Sequence, residues 1–168
     1  MLNFLKSLYL NQRFFYAIFA IALLFLFSYF FDFLYGFTWV LNLVLLLLFL
    51  ADLVSLYKSN RINAERILPQ KFSNSDENEV EIILENNYGF SIYTEIIDEI
   101  PIQFQKRDFL KQLKIGAGNS EKFSYYLRPV ARGEYYFGKL NIYVFTKIGL
   151  VKRRSVFGNK QMLKVYPS

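Results

Sequence analysis

The side chains that could carry out chemistry in this 168-residue chain are few, and they are mainly carboxylates. The sequence has no histidine and no cysteine, which removes the usual general base, the thiolate nucleophile and the commonest transition-metal ligands. Asp98 and Glu99 form a carboxylate pair, but adjacent strand residues point to opposite faces, which is poor geometry for shared acid–base work. We therefore expect both to be solvated turn residues and predict no enzyme, no catalytic residue, no cofactor and no metal site.

One segment partly resembles a phosphate-binding loop and another partly resembles an RNA-binding motif, but neither matches its consensus. Gly116-Ala117-Gly118 lacks the Lys-Ser/Thr of a phosphate-binding loop and no helix follows it, which indicates a turn. The basic, tyrosine-rich segment 132–137 differs from the RNA-binding consensus because Glu134 occupies an aromatic position. The sequence therefore predicts no nucleic-acid partner.

Two long uncharged runs dominate the N-terminal third. Residues 14–31 and 33–51 contain no charged side chain. As helices rising about 1.5 Å per residue, each matches a hydrocarbon core of about 30 Å. A helix that is apolar on every face is typical of a membrane span. We predict a membrane anchor at residues 1–58, an α-helical hairpin with transmembrane helices at about 14–31 and 34–56.

Two charged residues, Arg13 and Asp52, and one amide, Asn42, at or within these spans can make specific polar contacts. Arg13 and Asp52 come level at the same end of an antiparallel hairpin, so one prediction is an ion pair between them. The alternative is that Asp52 reaches headgroup water. Asn42, nearer mid-span, can hydrogen-bond a second copy and favour a homo-oligomer, or it can bond within the hairpin.

Lysine and arginine predict the orientation of the anchor. The bend between the two runs has none, whereas basic residues flank the outer ends of both: Lys6, Arg13, Lys58, Arg61, Arg66 and Lys71. Positive residues favour the cytoplasmic side of a membrane. The chain is thus predicted to be multi-pass, with both termini in the cytoplasm.

Residues 59–168 are predicted to form a cytoplasmic, immunoglobulin-like antiparallel β-sandwich. Val80, Ile82 and Leu84 alternate with acidic residues, as in a half-buried strand. Similar runs, separated by Gly, Pro and Asn turns, occur at residues 90–97, 123–127, 135–137, 140–145 and 162–166, with weaker candidates at 100–104 and 112–115. Several short strands without helical periodicity are typical of a two-sheet sandwich.

Charge is unevenly distributed in this β region. Residues 72–105 have a net charge of −8, and residues 106–168 have a net charge of +11. One interpretation is that the acidic and basic parts lie side by side and partly neutralise each other. The other is that Lys152, Arg153 and Arg154 face anionic lipid or an acidic protein partner.

The C-terminal third resembles a family of bacterial membrane proteins. The segments that carry the likeness are Tyr126-Leu127-Arg128-Pro129, Arg132-Gly133-Glu134-Tyr135-Tyr136-Phe137-Gly138, Gly149-Leu150 and Val165-Tyr166-Pro167. They are similar to the family called domain of unknown function 58 (DUF 58), over about residues 123–167. The chain departs from the family pattern at Ala131, Lys139 and residues 146–148, and it lacks the family's von Willebrand factor A-like domain.

The motif residues have a structural interpretation. Gly133, Gly138 and Gly149 are expected where the backbone needs a positive φ or a close approach. Tyr135 and Phe137 share one strand face and are predicted to be core. The remaining motif residues of interest are Arg132, which can brace a turn or contact a partner, and Leu150 and Pro167.

The resemblance also implies a function. Members combine a pair of transmembrane helices with a β-sandwich, and their genes commonly accompany those of MoxR-type AAA+ ATPases. It implies a non-catalytic interaction or scaffold module in the bacterial inner membrane, with the lipid bilayer and a MoxR-type ATPase as partners in assembly or maturation of cell-envelope complexes. Alternatives are an oligomeric transport or channel component, and an enzyme using carboxylate or lysine chemistry. The missing domain predicts that the chain is the N-terminal portion of a longer protein.

Overall fold

The computed structural model describes residues 2–58, 62–106, 109–158 and 160–166. The chain forms two compact units. The helical unit comprises Met1–Asn60 together with Val144–Arg154, and the β unit comprises Arg61–Tyr143 together with Ser155–Ser168. A single boundary after residue 58 therefore misses the segment Val144–Arg154, which is remote in sequence from the helices that it accompanies.

The helical unit consists of α1 (Leu2–Ser7), β1 (Leu8–Leu10), α2 (Gln12–Phe27) and α3 (Asp32–Tyr57). Asn11 caps the start of α2, since its side-chain oxygen accepts from the Gln12 N–H at 2.8 Å. The end of α2 lies four residues before the predicted Phe31, because the Ser28 hydroxyl donates back to the Phe25 carbonyl and a turn follows.

The two long helices of this unit pack antiparallel. The ring centroids of Phe14 and Phe49 are 5.2 Å apart, and at the opposite end those of Phe25 and Trp39 are 5.8 Å apart. In the described part of the chain, α3 is the one helix long and apolar enough to cross a membrane. Helix α2 is apolar but has 16 residues.

The β unit is all-β apart from the short 3₁₀ turn Ile102–Phe104, and it is sandwich-like. Its strands are β2 (Ile62–Ile67), β3 (Phe72–Ser73), β4 (Asn78–Asn86), β5 (Ile92–Asp98), β6 (Leu110–Ile115), β7 (Ser120–Leu127), β8 (Gly133–Phe137), β9 (Leu140–Phe145), β10 (Val151–Phe157) and β11 (Gln161–Tyr166). Strands β9 and β10 each begin or end within the helical unit. Within the β unit the sheet orders are β2-β4-β7, β3-β11-β8 and β10-β9-β5-β6.

Alternating side chains build the core of the β unit. Val80, Ile82 and Leu84 of β4 are fully buried, which confirms the predicted strand. The predicted strand at 100–104 is wrong: Pro101 cannot donate to a strand ladder, and the chain turns there instead. Strands β2 and β10 were not predicted, because charged residues interrupt their apolar pattern.

The acidic and basic strands of the β unit are neighbours. Acidic β4 pairs with β7, and β5 pairs with the lysine-containing β6, both antiparallel. Lys122 of β7 lies 2.7 Å from a carboxylate oxygen of Glu81 on β4. The structure thus supports partial neutralisation between neighbouring strands.

Candidate functional site

A buried carboxylate near the end of α3 organises the helical unit. Asp52 has no exposed surface, although it lies in a helix whose other side chains are mainly apolar. Its Oδ2 accepts from the backbone N–H groups of Leu150 at 2.8 Å and Val151 at 2.9 Å. Its Oδ1 accepts from the Thr146 hydroxyl. Three donors therefore satisfy one buried charge, as such a charge requires.

The donors come from the turn that connects β9 with β10. Thr146 follows the end of β9, and its Oγ1 also accepts from the Ile148 N–H at 3.1 Å. Gly149 has a φ of +66°, a left-handed conformation that glycine adopts without steric cost. This conformation turns the chain so that the next two N–H groups meet Asp52.

The start of α2 holds the same turn from its carbonyl side. The Arg13 guanidinium donates through Nη1 to the carbonyls of Lys147 at 2.9 Å and Ile148 at 3.2 Å. The Asn11 N–H donates to the Leu150 carbonyl at 3.0 Å. We call the set formed by Arg13, Asp52 and turn residues 146–151 the turn clasp.

The turn clasp corrects both predictions made for Asp52. The ion pairs found among the described residues do not include Arg13 with Asp52. Each of the two side chains instead binds the turn, Arg13 through carbonyls and Asp52 through N–H and O–H donors. Asp52 does not reach water either, because it is fully buried. The two residues lie at the same end of the helix pair, as predicted, whereas the turn that both of them bind was not predicted.

The basic segment after the turn is partly used inside the helical unit. Arg153 donates to the Leu56 carbonyl at 2.6 Å, and its guanidinium lies 4.8 Å from the centre of the Tyr57 ring. The Lys152 ammonium lies 5.3 Å from the centre of the Phe145 ring. Lys152, Arg153 and Arg154 are all half-buried. Arg153 therefore closes the end of α3.

A second buried polar cluster lies in the β unit. Arg66 on β2 forms an ion pair with Asp98 on β5, and both side chains are almost fully buried. The Tyr125 hydroxyl donates to the other Asp98 oxygen at 2.6 Å. Arg66 also donates to the Gly138 carbonyl at 2.9 Å and to Gln161 Oε1 at 3.0 Å. The expectation that Asp98 is a solvated turn acid is wrong, whereas Glu99 is exposed.

Burial changes the acid–base properties of this cluster. It raises the pKa of Asp98, because the loss of water outweighs the attraction of the Arg66 guanidinium and the Tyr125 hydrogen bond. Burial and the neighbouring Asp98 carboxylate raise the pKa of the Tyr125 hydroxyl far above its ordinary value. The cluster thus links strands β2, β5, β7 and β11 through side-chain hydrogen bonds.

The remaining motif residues mostly support the fold. Tyr135 and Phe137 are buried, as predicted, and the Tyr135 hydroxyl donates to the Ala131 carbonyl at 2.8 Å, as in the tyrosine corner of immunoglobulin-like domains. The glycines occupy the predicted special positions: positive φ at Gly133 and Gly149, and close approach to Glu99 at Gly138. Leu150 is buried, Arg132 is exposed, and Pro167 lies outside the described residues.

No group of three His, Cys, Asp or Glu residues suited to a metal ion occurs in the part of the chain that the structure describes. The carboxylates of Asp52 and Asp98 are each engaged by protein donors. The turn clasp joins segments of the helical unit that are 94 residues or more apart in sequence.

Comparisons with known proteins bear on the fold alone. No family model matches the chain, and no curated protein matches it in sequence. Solved structures similar to it include PapD-like domain 7 of human CEP192, at 12% identity and a TM-score of 0.47 over 66% of this chain and 88% of that one. Another is a CARDB domain from Pyrococcus furiosus, at 14% identity and a TM-score of 0.42 over 64% and 94%. The all-β, sandwich-like character of the β unit follows from its own strands and sheet order.

The left-handed turn residue of the clasp gives a direct test of its geometry. Replacing Gly149 by alanine is expected to cost about 1–2 kcal/mol, because a Cβ at φ +66° is strained and would lie 3.2 Å from Arg13 Nη1. The matched control is Gly36→Ala, since Gly36 lies in α3 with no atom within 4 Å of the added Cβ. The control is expected to increase the free energy of unfolding by about 0.5–1 kcal/mol, because alanine is favoured over glycine within a helix. Thermal unfolding of both full-length variants in detergent measures the difference in stability between them. Equal shifts of the two unfolding midpoints would contradict the role given to Gly149 in the turn clasp.

Proposed function

We propose that the chain is a membrane-anchored, non-catalytic interaction module, with α2 and α3 as the anchor and the β unit as the part that meets a partner. The observation that carries this proposal is the exposure of α3. Only 11% of its most apolar 18-residue window is buried, whereas the core helix of a soluble protein is mostly buried. Lipid is the solvent that accommodates such a surface.

The partner proposal rests on the resemblance to the DUF 58 family. By that resemblance, the partner is a MoxR-type AAA+ ATPase, the process is assembly or maturation of cell-envelope complexes, and the location is the bacterial inner membrane with both termini in the cytoplasm. The basic residues that flank the outer ends of α2 and α3 support this orientation, because none occurs in the bend between them.

Protease treatment of inverted membrane vesicles tests the anchor and its orientation. The full-length chain is expected to resist alkaline carbonate extraction, and added protease is expected to digest residues 72–168 while sparing α2 and α3. Right-side-out vesicles are the control, in which the same residues are expected to be protected. Extraction by carbonate would overturn the anchor, and protection in inverted vesicles would overturn the orientation.

A binding measurement tests the partner separately. The full-length chain in lipid nanodiscs is expected to bind a purified MoxR-type ATPase of the same bacterium, and empty nanodiscs are the control. Saturable binding supports the proposal. If the ATPase binds the loaded and empty nanodiscs equally, the proposed partnership is wrong.

A further inference from the structure

The helix pair contains an open groove between two aromatic contacts. The Phe14–Phe49 and Phe25–Trp39 ring pairs hold α2 and α3 together towards either end. Between them lies a groove of about 310 Å³, lined by Phe14, Ile18, Ile21, Asn42, Leu45, Leu46 and Phe49. On α3 the lining residues recur at intervals of three and four, so they form one continuous face of the helix.

A polar side chain stands in this apolar groove. Asn42 is exposed, and within the described part of the chain its amide makes no hydrogen bond to another protein group. In lipid an unsatisfied amide is costly, because hydrocarbon offers it neither donor nor acceptor. Thr38 and Ser55 of the same helix avoid this cost by donating to the carbonyls of Leu34 and Ala51.

We infer that the groove is a docking site for α3 of a second copy of this chain. A side-chain amide has both donors and an acceptor, so two Asn42 residues facing each other across a two-fold axis satisfy each other. Lipid tails can fill the groove but cannot meet the hydrogen-bonding capacity of Asn42. The inference rests on the proposed membrane anchor, and it adds that the anchor is a parallel pair of hairpins.

The natural absence of cysteine makes this geometry directly measurable. A chain without cysteine gives no background in disulfide cross-linking, so single cysteines can be placed on chosen faces of α3. Leu46→Cys lies in the groove, whereas Val44→Cys is exposed but does not line it. In vesicles the first variant is expected to form a disulfide-linked dimer, and the second is not.

Variants of Asn42 then test the role of the amide in dimer formation. Asn42→Leu is expected to weaken association about 3- to 30-fold, measured as the Leu46→Cys dimer fraction against lipid dilution. Asn42→Gln retains the amide, so its dimer fraction is expected to stay closer to that of the wild type than the dimer fraction of Asn42→Leu does. The double variant Asn42→Val/Val44→Asn keeps the composition but moves the amide to another face, so it is expected to lose the Leu46→Cys cross-link.

Two results would overturn the inference without affecting the proposed anchor. The first is a photobleaching record in which each fluorescently labelled particle loses its signal in a single step at every lipid dilution, while the chain still floats with vesicles. Single-step bleaching indicates monomers. The second is equal cross-linking through Leu46→Cys and Val44→Cys, which indicates random collision. If the chain failed to float with vesicles, the proposed membrane anchor would be wrong. The dimer and the anchor are therefore contradicted by different results.

Discussion

Replacing Asp52 by alanine is expected to release the β9–β10 turn from the helices. The change leaves the Thr146 hydroxyl and the N–H groups of Leu150 and Val151 without the acceptor that they share. Each unsatisfied buried donor destabilises the closed turn by about 1–3 kcal/mol. Because water can enter the opened turn, we expect the lower value for each of the three donors, which gives a total of about 3 kcal/mol. Amide hydrogen exchange at Leu150 and Val151 is thus expected to become roughly 100-fold faster.

Two further variants separate the carboxylate from the helix. Asp52→Asn keeps one oxygen acceptor but adds an NH₂ group that faces donors, so its effect is expected to lie between wild type and alanine. Asp32→Ala is the matched control, because Asp32 is an exposed acid in the first turn of the same helix. The control is expected to leave exchange at Leu150 and Val151 unchanged. Unchanged exchange in Asp52→Ala would show that the turn is held by other contacts.

The sequence predicted the elements of this molecule better than the contacts between them. Uncharged runs are visible as local composition, so the positions of α2 and α3 were predictable to within a few residues. The period-2 alternation of Val80, Ile82 and Leu84 likewise depends on near neighbours. Asp52 and Thr146 are 94 residues apart, and no local pattern indicates that a helix carboxylate receives a distant turn.

The buried ion pair shows where a local signal was available. Ile92, Thr94, Ile96 and Asp98 alternate along β5, and all four are buried. If the alternation of Ile92, Thr94 and Ile96 is extended by two residues, Asp98 lies on the same, core-facing side of the strand. A buried carboxylate there must be paired. Arg66 was harder to find, because the polar residues of β2 hide the strand that carries it. The partner of a buried charge depends on sheet order, which short-range patterns do not contain.

Breaking the Arg66–Asp98 pair is expected to have the largest effect on the β unit. Arg66→Met removes the guanidinium, which leaves Asp98 buried without its opposite charge and the Gly138 carbonyl without its donor. Removing one partner of a buried pair costs about 3–5 kcal/mol. Urea unfolding of the full-length protein in mild detergent, followed by the β signal in circular dichroism, measures this loss.

The double variant distinguishes an ion pair from a simple packing effect. Arg66→Met/Asp98→Leu removes both charges, so its cost is expected to be well below the sum of the two single costs. The exposed pair Lys122–Glu81 is the matched control: Lys122 is 61% exposed, so Lys122→Gln is expected to cost less than about 1 kcal/mol. Additive costs for Arg66 and Asp98 would mean that each is held independently, by Gly138 and Gln161 on one side and Tyr125 on the other. Strong coupling would instead show that a single ion pair joins β2 to β5 across the core.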